Sequence, residues 1–357
     1  MYQKYKKLTT IALICAMALS VTACDKDTVT DPILVPPSND EAVATPTDGE
    51  APADNTASNP QVNLEFDFPE APASDFEYEK SADGKGVALG RYVGADKEVR
   101  IPEKIDGKPV TLLKSKTFTN TTAETVIIPN TVVELEWGAF DYALELKTVV
   151  FEGDIKTMGE GAFRGCEKLE TVILPDGFTE LGEAMFTGCH SLKNIVLPDS
   201  LKVIGRSAFW ACIALESIVI PHGVTDIGMS AFYMCENLVD IVIPHTVTEI
   251  GGSAFSFCTS LVDFVFPDGV KEIGSSMFFG CTSLESVKFG SSVELVLGNI
   301  FNDCTSLKTI TFTSPKAVSM IMVDIPPSVT AIYVPAGMKD DYANRGLLNY
   351  KDIIFEM

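Results

Sequence analysis

"PHGVTDIGMSAFYMCENLVDIVIP" spans Pro221–Pro244, and "PHTVTEIGGSAFSFCTSLVDFVFP" repeats its plan over Pro244–Pro267. One proline, one phenylalanine and one cysteine return at the same phase every 23 residues. Phenylalanine holds its column at Phe140, Phe163, Phe186, Phe209, Phe232, Phe255, Phe278 and Phe301. Cysteine does so at Cys166, Cys189, Cys212, Cys235, Cys258, Cys281 and Cys304, each followed three residues later by leucine. A unit this short cannot bury its own apolar face and must stack on its neighbours. The pattern predicts a solenoid.

One coil can be built from Leu215 to Phe232, "LESIVIPHGVTDIGMSAF". The β-branched run before Pro221 reads as a short strand. Period two then turns Ile218 and Ile220 inward and Ser217 and Val219 outward. Pro221 lacks a ladder donor and ends the strand, after which Val224 and Ile227 return to the core. Gly228 stands in a column with Gly159, Gly182, Gly205, Gly251 and Gly274. That column demands either positive φ or close approach to the coil below. "MSAFYMC" follows as one or two helical turns, with Phe232 and Cys235 on one face. The fold class read from this is an α/β solenoid: a right-handed stack of 23-residue coils, with a parallel sheet on one side and short helical turns on the other. Glu152 replaces the proline and Leu297 the glycine in two coils, which should be irregular.

The N-terminus follows different rules. "MYQKYKK" carries three lysines, and the apolar run from Leu8 to Val21 is too short for a bilayer span of ~20 residues. Residues 1–23 have the layout of an export signal. "VTAC", ending at Cys24, resembles a bacterial lipoprotein signal, in which that thiol is acylated and becomes the new terminus; Val21 stands where leucine is usual. A plain signal peptide cut nearby is the alternative, and it too implies export. Residues 24–74 are rich in Pro, Ala and Thr, and their eleven carboxylates face Lys26 alone. Such a segment has too little apolar surface to offset chain entropy and reads as a disordered tether, with a reach of roughly 40 Å if flexible. The net charge of -22 disfavours nucleic acid and direct contact with anionic lipid. Membrane association is expected only through the N-terminal lipid anchor.

"IPHTVTEIGGSAFSFCTSLVDFVFP" resembles the leucine-rich repeats of the BspA-like class, also called the Treponema pallidum type. The resemblance covers residues 75–357: "YVGADKEVRIPEKIDGKPVTLLKSKTF" is similar to the family's N-terminal opening coil, and "IYVPAGMKDDYANRGLLNYKDII" to its closing segment. It divides the domain into an opening coil (75–124), regular repeats (125–313) and a closing segment (314–357). It implies a bacterial surface protein used for recognition, in some members adhesion to host matrix proteins, at the cell envelope and facing outward from the outer membrane.

Several constellations invite chemical readings. The repeat cysteines are odd in number and stack in parallel, which is poor geometry for disulfides and for a tetrahedral zinc site; buried thiols act as small apolar fillers. His222 and His245 share a turn column flanked by Asp199 and Asp268, with His190 elsewhere, and read as solvated turn residues. Asp240 and Asp263 are paired carboxylates, but repetition makes their environments equivalent, whereas acid/base work needs unlike ones. Lys147, Glu170, Lys193 and Glu216 alternate in sign as an exposed ion-pair ladder. Phosphate loops, serine elbows and Cys/His dyads are absent from the sequence, so neither an enzyme nor a cofactor is expected.

Two surfaces compete for a partner. Outward strand positions Val150, Ile173, Val196, Val219, Val242 and Val265 form an apolar stripe that Lys288 and Thr311 end. With Asp240 and Asp263, its Val196–Val265 part suits a protein partner, a host matrix or cell-surface molecule. Trp210, Tyr233, Met234, Phe257 and Phe279 make the rival, an aromatic face suited to glycan capture. A structural role without a ligand is the third possibility. The anchor has its own test. Cys24→Ala should abolish labelling by lipid precursor and partitioning into detergent; unchanged labelling would remove the anchor from the account.

Overall fold

The computed structural model describes residues 66–82 and 84–357. The export signal, Cys24 and the tether up to residue 65 lie outside the described residues. Residues 66–74, placed above at the end of the tether, lie against the first coil: Ala71 N–H donates to Arg100 O at 2.8 Å, and Glu70 bridges Arg100 in parallel.

Most coils contribute two short parallel strands; the coil of Val196 makes only an isolated bridge in place of the first. The first is the expected one, as in Ser217–Val219 paired with Asp240–Val242, or Asp263–Val265 followed by Ser286–Phe289 and Thr309–Phe312. A second ladder runs through two-residue strands such as Val203–Ile204, Asp226–Ile227 and Glu249–Ile250. Its apolar member is the residue that returns to the core before the glycine column. Ile227 and Ile250 are buried while their neighbours Thr225 and Glu249 face solvent.

The side expected to carry helical turns consists of successive hydrogen-bonded turns, and the described residues contain very little helix. Ser230 and Met234, both left-handed at φ 56° and 60°, bracket Phe232. Their conformation makes the amides alternate in direction. Ala231, Tyr233 and Cys235 donate within the turn to Gly228, Ser230 and Phe232, whereas Ser230, Phe232 and Met234 donate to Gly252, Ala254 and Ser256 of the next coil. A helix would turn every amide inward on its own segment. Here alternate amides form a third ladder between coils.

At Gly159, Gly205, Gly228 and Gly251 the glycine column resolves to close approach, whereas Gly182 has ordinary room. A Cβ added to Gly228 would sit 2.5 Å from Arg206 N, and one added to Gly251 2.3 Å from Met229 N, in both cases backbone of the preceding coil. Neither glycine has positive φ; the left-handed positions lie two residues to either side of the spine phenylalanine.

The phenylalanines stack with nearly parallel rings. Phe209 and Phe232 have centroids 5.3 Å apart at 7°, and Phe232 and Phe255 5.5 Å apart at 3°. The column begins one coil earlier than the strict 23-residue phase, at Phe118, which stacks on Phe140 at 4.9 Å. It opens to 6.3 Å between Phe255 and Phe278, where Phe264 wedges 4.8 Å and 5.0 Å from the two rings. From there a second stack, Phe266–Phe289–Phe312, runs beside the first and ends on Tyr342. Tyr342 is buried, and its hydroxyl donates to Ser314 O at 3.2 Å; burial pushes its pKa up to about 12.

All seven repeat cysteines are buried and free. Each Sγ donates to the spine phenylalanine carbonyl of the preceding coil, as Cys235 does to Phe209 O at 3.2 Å. Burial raises the thiol pKa values, that of Cys304 to about 12, which keeps the sulfurs protonated and able to donate. At the irregular coil, Glu152 pairs with Arg100 from two coils before it. Of the expected ladder, Lys147 pairs back with Glu124, at the same phase one coil earlier, and Glu124 is held between Lys97 and Lys147. Those two ammonium groups hold its pKa down to about 2.

Phe232 is fully buried mid-stack. Phe232→Ala should cost ~3–5 kcal/mol in chemical denaturation, as for other buried aromatics; an unchanged midpoint would place the ring outside the core.

Candidate interaction surface

Pleat alternation and parallel register together build the outer face. Val219 stands opposite Val242, and Val265 opposite Lys288, so one outward position on every coil becomes one line along the solenoid. The structure leaves Val196, Val219, Val242 and Val265 exposed, Val219 most of all at 82%. Val150 and Ile173, counted in the same stripe, are half-buried. Val239, 51% exposed, lies immediately before the strand Asp240–Val242 and outside its alternation. Sequence periodicity missed it because the two preceding coils carry Lys193 and Glu216 at that phase.

Asp240 and Asp263 flank the stripe and are exposed. Asp263 Oδ1 accepts Ser286 Oγ–H at 2.5 Å, a hydrogen bond from the next coil. The first-strand ladder is looser along this part. Ile173 meets Val196 only through an isolated bridge, and the regular ladder resumes at Ser217–Val219 and again at Asp263–Val265.

The rival face is an aromatic strip. Trp210, Tyr233, Phe257 and Phe279 follow one another at 4.9, 5.4 and 5.1 Å between centroids, tilted by 53°, 68° and 68°. Phe257 lies one residue later in phase than the other three, at a left-handed φ of 59°, yet its ring falls between Tyr233 and Phe279. Gly280 makes the room: a Cβ there would lie 2.6 Å from the Phe257 ring. Tyr142 and Gly165 repeat the arrangement at 2.7 Å. The readable signal is an aromatic followed 23 residues later by glycine. Only Trp210 of the four is exposed, at 40%.

A cationic cluster on the same side escaped sequence reading. Arg164 lies over Trp137 at 5.0 Å and Tyr142 at 5.6 Å, and it forks onto buried Asp141 at 2.8 and 3.0 Å. Asp141 and Arg164 share one column, 23 residues apart, while Trp137 and Tyr142 join them from other phases. His222 and His245 do come close, with ring centroids 5.9 Å apart, and both are exposed. Among the described residues no cluster of three or more metal-ligating side chains occurs.

Residues 111–239 and 225–325 match the family model described as BspA type Leucine rich repeat region, in six copies. No curated protein matches the sequence. Among solved structures, the T. pallidum Leucine Rich Repeat protein is 30% identical, covering 67% of this chain and 91% of its own, with a TM-score of 0.37. A leucine-rich repeat protein from Bacteroides ovatus is 22% identical over 75% of this chain and 85% of its own, and its TM-score of 0.52 marks a shared fold. A leucine rich cell surface protein from Faecalibacterium prausnitzii is 23% identical over 73% and 97%, with a TM-score of 0.42.

The aromatic strip makes a mutational prediction. Gly280→Ala should destabilise by about 1–2 kcal/mol through its left-handed φ of 75°, and further by collision with Phe257. Adding Phe257→Ala should remove the collision, so the double-mutant cycle should show a coupling of ~1 kcal/mol. Strict additivity would separate the two residues.

Proposed function

Because the chain belongs to the BspA-type leucine-rich repeat family, a family of repeat scaffolds for protein interaction, we propose that it is an exported, lipid-anchored surface protein that binds a protein partner through its exposed valine stripe. The observation that carries this reading is the contiguous exposure of Val196, Val219, Val242 and Val265. Four large apolar side chains in line on neighbouring coils differ from scattered surface residues, and such patches mark interaction sites. Asp240 and Asp263 add a rim that favours a partner with basic groups at the edge of its apolar contact. The partner is a host matrix or cell-surface protein.

Export rests on residues 1–23 and the anchor on Cys24. A similar protein is described as a cell surface protein. Among the described residues no helix is long and apolar enough to cross a membrane. The outer membrane, facing outward, is the proposed location. No catalytic role is assigned to Asp240 and Asp263, which sit at equivalent exposed positions of one repeating face.

Glycan capture on Trp210, Tyr233, Phe257 and Phe279 is the second reading, favoured by the exposure of Trp210. The tilts of 53° to 68° turn neighbouring rings edge to face, so they do not form one flat platform.

A matrix-protein and glycan array identifies the partner. Val219→Lys with Val242→Lys should then abolish its binding while the melting curve stays in place, because both side chains are solvent-facing. Loss of binding only in Trp210→Ala and Tyr233→Ala would move the site to the aromatic face and the partner to a glycan.

A further inference from the structure

One turn column carries ligand-forming side chains on consecutive coils. Asp176, Asp199, His222, His245 and Asp268 each stand immediately after the proline of their repeat. The register that lines up the valines lines up the histidines too, since Ser217–Val219 pairs residue for residue with Asp240–Val242. The turns that hold the two histidines are also alike. Val224 N–H donates to Pro221 O and Val247 N–H to Pro244 O, each at 3.0 Å. Thr246 Oγ–H then ties the second turn to the first, reaching His222 O at 2.7 Å and Val224 O at 2.8 Å. The two imidazoles therefore leave equivalent, hydrogen-bonded backbone on neighbouring coils.

Their ring centroids lie 5.9 Å apart with a tilt of 46°. Both side chains are exposed, and neither ring has a hydrogen-bond or ion-pair partner among the described residues. The ring nitrogens are thus open to an incoming ligand. A metal ion bound at ~2.0–2.1 Å by one nitrogen of each ring stands ~3.2 Å from each centroid, so the centroids can be no more than ~6.4 Å apart. A tetrahedral angle at the metal brings them to ~5.2 Å. The observed 5.9 Å lies between these bounds, and rotation of two solvent-facing side chains between rotamers closes the rest.

We propose that His222 and His245 form a surface site for a divalent transition-metal ion of the zinc, nickel and copper class, the ions that imidazole suits. Once one ring has bound, the other is held beside the ion at high effective concentration, so the pair retains it far better than a single ring. Asp199 and Asp268 on the flanking coils and the net charge of -22 favour a cation; the ammonium group of Lys202, near Gly223, opposes it. Among the described residues no third ligand joins the pair, and Asp268 accepts Ser291 N–H at 2.7 Å instead. Water completes the coordination and leaves positions that a further ligand can take. Each histidine follows a stripe valine, Val219 or Val242, by three residues, which puts the ion close to the proposed partner surface; the metal site itself does not rest on that reading.

The test uses the full chain without an affinity tag, its accessible thiols alkylated; the repeat cysteines are buried and stay out of that reaction. Calorimetric titration with Ni(II) should show a site that His222→Gln and His245→Gln each weaken about tenfold or more, and that His190→Gln leaves in place. Pulsed EPR of the Cu(II)-loaded, unsubstituted chain should show two imidazoles on the copper, and one in either variant. Unchanged affinity in both variants, no uptake by the unsubstituted chain, or a single imidazole on its copper overturns the proposal. A failed search for a protein partner leaves these readouts untouched.

Discussion

Alternating amide direction around the spine phenylalanine is the constraint on which the other features rest. Two left-handed residues per coil, such as Ser230 and Met234, turn every second N–H toward the next coil. With the two strand ladders, this ties each coil to its neighbour on three sides. The spine rings then have no choice but to stack at 4.9 to 6.3 Å, and each cysteine sulfur falls within reach of the preceding phenylalanine carbonyl. Left-handed backbone is costly for residues with a Cβ. Ser, Ala, Met and Phe all accept it here because the ladder bond it creates replaces one that would otherwise be lost in the interior.

Tight coupling between coils also explains the surface. Any outward position repeated in the sequence becomes a straight line in space, so a function needs only a column of residues, with no separate pocket. The valine column and the Lys97–Glu124–Lys147 ladder are two such lines. An isolated ion pair in solvent contributes little, and the role left to the ladder is to oppose slippage between coils.

Departures from the repeat are absorbed locally. Phe264 and Phe266 stand where the preceding coil has Ile241 and Ile243, and the extra volume opens the spine and starts a second ring stack toward Tyr342. Glu152 takes a proline's place and becomes the partner of Arg100, which also donates to the carbonyls of Phe66 and Phe68. These two exceptions to the period thus coincide with contacts between residues at unlike phases.

The sequence alone determined what repetition can carry: the stacked coil, the inward Ile218 and Ile220, the buried phenylalanine and cysteine columns, and the outward line of valines. These follow from period two within a strand and period 23 between coils, both local properties of the chain. Tertiary structure alone decided the second strand at Asp226–Ile227, the turn that replaced a helix around Phe232, and whether the glycines serve close approach or positive φ. It also decided which valines are free, since Ile127 and Val219 are equivalent in phase and opposite in exposure. Arg164 with Trp137 and Tyr142, and Arg100 with Phe66, Phe68 and Glu152, belong to the same class. Their positions have no common phase, and only the offset between stacked coils brings them together.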